Sequence, residues 1–214
     1  MHNKHKYIAI EGNIGAGKTT LSQMLAKDWD CRLVLEQFTD NPFLPLFYEN
    51  PERYAFQVEL FFMTERYKQL QAQFTNQDLF QQNTIADYFF LKTLLFAKKN
   101  LLNEEYRLFQ SLFHTLNARF PKPDLLVYLH RPISALQTYI QQRGRPMEQQ
   151  IEVAYLEKVQ AAYFEYFKTP PICPILVLDI KEVNFVLNQN AYQQINQLIE
   201  NAPIEYKVHY LTVD

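Results

Sequence analysis

Two kinds of apolar pattern alternate along the chain. Tyr7–Ile10, Arg32–Leu35, Leu125–Leu129 and Ile175–Leu178 are short runs with no polar residue on every second position. Such runs predict strands covered on both faces. Between them, apolar residues recur every three or four positions. Leu21, Met24 and Leu25 mark a helix ending near Asp28; Tyr54, Val58, Phe61, Phe62, Tyr67 and Leu70 mark one over 52–74. The same spacing predicts helices over 88–98, 103–120, 149–167 and 191–199, and Pro132 fits the first turn of another running to about Gln142. A third strand falls at Leu79-Phe80 or at Thr84-Ile85. Thr39-Asp40-Asn41-Pro42 reads as a turn opening a short helix, and 204–213 as an extended tail. Strands alternating with helices make this an α/β chain, with a five-stranded parallel sheet between two helical layers and a ligand crevice at the strands' carboxyl ends.

Composition narrows the picture. A chain of 214 residues fits a single domain, here 1–214, and 48% apolar residues suffice for a core. A formal charge of −2 argues against a nucleic-acid partner. Cys31 and Cys173 match no metal spacing and read as thiols of a reducing compartment. No apolar leader precedes the first strand and no 18-residue apolar run occurs, so the expectation is a cytoplasmic protein without a membrane span. No internal repeat is present.

The chemistry begins in the turn after the first strand. Gly12, Gly17, Lys18 and Thr19 fill the pattern G-x-x-x-x-G-K-[ST], between a strand and a helix. Glycines let backbone N–H groups approach a phosphate, and the helix N-terminus adds a favourable dipole. Lys18 would reach the terminal phosphates and the Thr19 hydroxyl would hold Mg²⁺.

Other residues fall where that crevice would be. Glu36 follows the second strand and reads as a general base or as a surface charge. Gln57, polar on an apolar stripe, could pair with a base edge or face solvent. Asp87 follows the third strand, as an acid orienting Mg²⁺ or as a helix N-cap. Arg143-Gly144-Arg145, with Glu148 beyond, reads as a lid over about 143–149 whose guanidinium groups meet a transferring phosphoryl group, or as a surface charge cluster.

Taken in order, these stretches resemble the deoxynucleoside kinases, most closely their bacterial deoxyadenosine/deoxyguanosine kinase branch. The resemblance runs from Tyr7 to about Ile199. It rests on the loop Gly12–Thr20, Glu36, Asn41-Pro-Phe-Leu, Phe47-Tyr-Glu-Asn-Pro51, Phe96-Ala97, Lys122-Pro-Asp-Leu, Arg143-Gly-Arg145 with Glu148, and Tyr155-Leu156. It implies the three-layer fold of P-loop NTPases and phosphorylation of a deoxynucleoside, a purine one, at its 5′-hydroxyl. ATP with Mg²⁺ would be the donor, held by Gly12, Asn13, Ile14, Gly15, Ala16, Gly17, Lys18, Thr19 and Thr20, with Thr19 and Asp87 at the metal. Glu36 would accept the 5′-hydroxyl proton, Tyr48 and Glu148 would hold the 3′-hydroxyl, Gln57 would bond the base and Phe96 would stack on it. Arg143 and Arg145 would be lid arginines, and the protein a homodimer through 54–67 and 88–98.

The chain departs from that pattern twice. The family usually has arginine after the acid that ends strand three; here Tyr88 follows Asp87. The spacing to Phe96 leaves Ala86 or Asp87 as that acid's equivalent. An acidic residue often precedes the stacking phenylalanine by four; here it is Lys92. Two other readings remain at this point: a nucleoside monophosphate kinase, disfavoured because 37–57 holds only Arg53, and a nucleotide-binding regulatory protein with decayed catalysis.

Overall fold

A computed structural model describes residues 4–36, 41–74, 83–118 and 120–213. The elements follow in the order β1 (Tyr7–Gly12), α1 (Lys18–Asp28), β2 (Arg32–Val34), α2 (Leu44–Glu49), α3 (Pro51–Phe74), β3 (Thr84–Ala86), α4 (Lys92–Asn100), α5 (Asn103–Asn117), β4 (Leu125–His130), α6 (Ile133–Arg143), α7 (Val153–Phe167), β5 (Ile175–Asp179), α8 (Gln189–Glu200) and β6 (Val208–Thr212). A 3-10 turn, Pro146–Glu148, lies between α6 and α7.

The strands form one parallel sheet in the order β2-β3-β1-β4-β5-β6. Alternate side chains of each strand enter opposite layers. Ile8, Ile10, Leu125, Val127 and Leu129 pack toward α1, α6 and α8, whereas Ala9, Leu126 and Tyr128 pack toward α7. Both sets are buried, which is why the strands read as unbroken apolar runs. Full burial of each such side chain contributes about 1.5–3 kcal/mol, offset by the entropy of ordering it. From β1 the chain builds β2 and β3 on one side and then crosses to β4 on the other. The carboxyl end of β1 therefore opens onto the crevice where open sheets bind ligands.

The sheet corrects the expected strand number: among the described residues it has six strands, not five. The tail supplies the sixth, pairing Val208 with Ile175 and Thr212 with Asp179. It is an edge strand with Tyr210 and Leu211 exposed, so it lacked the apolar signature of its neighbours. The third strand is the Thr84-Ile85 option; Leu79-Phe80 and Thr39-Asp40 lie outside the described residues. Helix α4 begins at Lys92 rather than at 88. Tyr88, Phe89 and Phe90 are core anchors of the preceding turn, with the Phe89 N–H donating to Glu11 Oε1 at 2.7 Å. Helix α7 begins four residues later than its spacing predicts, because the 3-10 turn and 149–152 intervene. Among the described residues no helix is long and apolar enough to cross a membrane, and Cys31 and Cys173 are free thiols.

Candidate active site

The turn from β1 into α1 takes conformations that explain its glycines. Gly15 and Gly17 have φ of 82° and 95°, in the left-handed region that side chains disfavour. A Cβ on Gly15 would lie 2.8 Å from the Leu136 carbonyl oxygen, and one on Gly17 3.0 Å from the Phe185 ring. Lys18 Nζ donates to the carbonyls of Gly12 and Asn13, each at 3.0 Å. Burial, helped by the charge of Lys92, lowers the Lys18 pKa to about 8. A phosphate arriving beside this ammonium relieves that burden. Asn13 and Ala16 serve the loop rather than the cavity. The Asn13 amide donates to the Leu156 carbonyl at 2.8 Å, and the Ala16 carbonyl accepts from Arg131 Nε at 3.2 Å.

One carboxylate joins the loop to the acid after β2. Asp87 Oδ2 accepts the Thr19 hydroxyl at 2.6 Å, and its Oδ1 accepts the Glu36 backbone N–H at 2.5 Å. Burial raises the Asp87 pKa, against the lowering effect of these two bonds. Asp87 is the acid that directly follows β3, and it reaches both the loop and Glu36. Thr19 and Asp87 offer two hard oxygens beside the phosphate loop. That fits Mg²⁺, which takes one or two protein oxygens and completes its shell with water and phosphate.

Glu36 is held from two helices. Arg66 on α3 grips Oε1 through Nε at 2.7 Å and Nη2 at 2.6 Å, and Lys92 on α4 donates to Oε2 at 2.8 Å. Arg66 also donates to the Thr93 hydroxyl at 3.0 Å. Burial alone would raise the Glu36 pKa, but the charges and hydrogen bonds of Arg66 and Lys92 hold it well below the usual carboxylate range. Two cations, from α3 and α4, thus hold this carboxylate in a chain that has Tyr88 after Asp87.

A cavity of about 770 Å³ runs from the phosphate loop past Glu36 and between α3 and α4. Tyr48, Phe96, Glu148, Arg143 and Arg145 all line it, as do Thr19, Thr20 and Asp87. Arg143 and Arg145 both donate to Glu148, the latter at 3.2 Å, which ties these three cavity-lining side chains together. Burial and the nearby Glu148 charge push Tyr48 up to about 12, keeping it a neutral hydroxyl.

Gln57 does not join this site. It is exposed on α3 and absent from the cavity wall. Glu59, two residues on, lines the cavity and is 3% exposed. The inward stripe of α3 runs through Ala55, Glu59, Phe62, Met63, Arg66 and Leu70, and Gln57 lies off it. In this phase the helix turns two charged residues inward, Glu59 and Arg66. The helical period could have located both had its phase been set by Ala55, Met63 and Leu70. Arg131 was also missed. Besides Ala16 it holds the carbonyls of Lys181 and Val183 at 3.0 and 2.8 Å, a buttress under the loop that no local motif announces.

Comparison with known proteins bears on most of the chain. A family model described as deoxynucleoside kinase matches residues 8–204. A deoxyguanosine kinase of Bacillus subtilis is 36% identical over 197 residues, covering 90% of this chain and 95% of that protein. A deoxyadenosine/deoxycytidine kinase of the same organism is 31% identical over 196 residues, covering 90% of each. Among solved structures, deoxyadenosine kinase from M. mycoides with bound dATP superposes with a TM-score of 0.73 at 25% identity, covering 89% of this chain and 98% of that one.

Proposed function

The chain belongs to the deoxynucleoside kinase family, and from that premise we propose that it transfers the γ-phosphoryl group of ATP to the 5′-hydroxyl of a purine deoxynucleoside, within nucleotide salvage. The observation that carries the site assignment is Asp87, which bonds the phosphate-loop hydroxyl with one oxygen and the backbone of Glu36 with the other. Donor and acceptor ends thereby share one crevice.

Each residue has a role that its surroundings support. The loop N–H groups and Lys18 cradle the donor's phosphates. Thr19 and Asp87 are the residues that would hold Mg²⁺, which when bound neutralises phosphate charge. Glu36 receives the acceptor hydroxyl's hydrogen bond. Its depressed pKa keeps it ionised at any working pH but makes it a weak base. That suits a loose transition state, in which the hydroxyl needs aiming more than early deprotonation. Tyr48 and Glu148, which line the cavity, would hold the 3′-hydroxyl, and Phe96 would stack on the base. Arg143 and Arg145, on the same cavity wall, would meet the transferring group, and closure of their segment would keep water from competing with the acceptor.

A phosphate-bearing acceptor would need cations of its own. Arg66 and Lys92 stand near the acceptor site but are both spent on Glu36, which counts against a monophosphate kinase. Their grip on Glu36 also counts against decayed catalysis, because the acid keeps cationic partners although Tyr88, not arginine, follows Asp87. Pairing of two copies through α3 and α4, in the cytoplasm, belongs to the same proposal. Phe61, half-buried on α3, is an apolar side chain that such a partner would cover. Light scattering at micromolar concentration should return twice the 25.5 kDa chain mass.

The test of the catalytic assignment is Glu36→Gln. Turnover should fall by on the order of 10²–10⁴-fold while ATP affinity is retained. Equal losses in both would remove Glu36 from the acceptor site.

A further inference from the structure

Helices α3 and α4 face each other across the cavity with two polar rungs. At one, Arg66 and Lys92 hold Glu36. At the other, the Asn100 amide of α4 donates to Glu59 Oε1 of α3 at 2.7 Å. The rungs are seven and eight residues apart along the two helices, or about 10–12 Å at the helical rise. Phe62 and Phe96 line the cavity between them. An acceptor whose hydroxyl meets Glu36 thus extends between two aromatic rings toward Glu59. This inference rests on the kinase reading above.

We propose that Glu59 is the specificity-determining residue of this site, reading the far edge of the base, and that its carboxylate selects guanine over adenine. An ionised carboxylate only accepts hydrogen bonds. Guanine turns two adjacent donors outward on that edge, N1–H and the N2 amine. Adenine offers one donor, its N6 amine, beside the lone pair of N1, which repels a carboxylate oxygen. Asn100 occupies one lone pair of Oε1 and leaves acceptor capacity on both oxygens. A pair of matched donors discriminates against the wrong base by roughly 10- to 100-fold.

The protonation state of Glu59 gives this reading a second signature. Burial raises its pKa to about 7. The groups acting on it come from three helices: Arg66 on α3, Lys92 and Asn100 on α4, and Lys158 on α7, with Tyr155 of α7 adjoining. As a neutral acid Glu59 offers one donor and one acceptor, which matches adenine's N1 and N6. Guanine preference should therefore grow as pH rises from 6 to 8.

The experiment measures kcat/KM for deoxyguanosine, deoxyadenosine and deoxyinosine with ATP at pH 6 and pH 8, for the native protein and Glu59→Gln. Deoxyinosine keeps N1–H and lacks the N2 amine. The expected result is deoxyguanosine favoured at pH 8 by 10-fold or more, a smaller preference at pH 6, and deoxyinosine between the two. Glu59→Gln, with an amide that both donates and accepts, should shift the ratio at least 10-fold toward deoxyadenosine and abolish its pH dependence. Should that variant not fold, the deoxyinosine and pH series on the native protein decide alone. Deoxyadenosine preferred at pH 8, or a ratio indifferent to pH and to deletion of the N2 amine, overturns this inference and leaves the kinase reading standing. Failure to phosphorylate any deoxynucleoside overturns both.

Discussion

Arg66 reaches Glu36 with two nitrogens, at 2.7 and 2.6 Å, and both side chains are less than a tenth exposed. A buried pair of this kind adds little net stability, because desolvation consumes most of the attraction. Breaking it by removing one partner is costly. Arg66→Ala leaves the Glu36 carboxylate with Lys92 alone and should destabilise the fold by about 3–5 kcal/mol. Chemical denaturation measures that loss. Arg66→Lys keeps a charge but not the two-point grip, so it should recover part of the stability and little of the turnover. If lysine restores both, fork geometry is irrelevant here.

Asp87→Asn tests the link between the two ends of the crevice. Asp87 accepts from both Thr19 and Glu36, and an amide has only one oxygen with which to accept. The Mg²⁺ concentration for half-maximal activity should rise by roughly 10- to 100-fold, the usual cost of disturbing residues around a metal. Titrating Mg²⁺ at saturating ATP measures it, and chelation with EDTA should abolish activity in both proteins. An unchanged Mg²⁺ requirement would remove Asp87 from the metal site.

The buried acid Glu59 predicts how stability depends on pH. Its native pKa, about 7, lies above the 4.5 of an unperturbed glutamate. Between these values the native state binds a proton that the unfolded chain has released. Its contribution is thus fully present below about pH 4.5 and is lost as pH rises to 7. The loss amounts to at most about 3 kcal/mol, flat above pH 7. Glu59→Gln cannot ionise, so relative to the native protein its Tm should gain more at pH 8 than at pH 5. Equal shifts at both pH values would mean that Glu59 ionises freely in the folded state.

Arg143 and Arg145, proposed as lid arginines, should separate binding from chemistry. Arg143 and Arg145 both hold Glu148 at the cavity mouth. Replacing either with alanine should lower kcat by on the order of 10²-fold, as when one charge-stabilising donor is lost. The KM for nucleoside should change less. A rise in KM with kcat intact would make them gatekeepers of entry rather than partners of the transferring group.

What the sequence revealed and withheld follows from locality. The phosphate loop, Glu36 and Asp87 sit at strand ends, where chain order alone places them in one crevice. Strands covered on both faces announced themselves by composition, while β6, an edge strand with Tyr210 exposed, did not. Gln57 attracted attention as a polar residue among apolar ones, yet the inward polar members of α3 are Glu59 and Arg66. Helical phase decides which of two nearby residues faces the cavity, and an error of two positions turns a side chain well round the helix. Helical phase could have turned Arg66 inward, but neither its pairing with Glu36, thirty residues earlier, nor the Arg131 buttress under the loop leaves a mark that spacing can detect.

The most direct measurement is a product assay. The purified protein is incubated with ATP, Mg²⁺ and each of the four deoxynucleosides in turn, and the products are separated and weighed by mass spectrometry. The account predicts ADP and a deoxynucleoside 5′-monophosphate in equal amounts with a purine acceptor, and the loss of both with Glu36→Gln. ADP formed without a phosphorylated nucleoside, or ATP bound and left intact with all four, would contradict it.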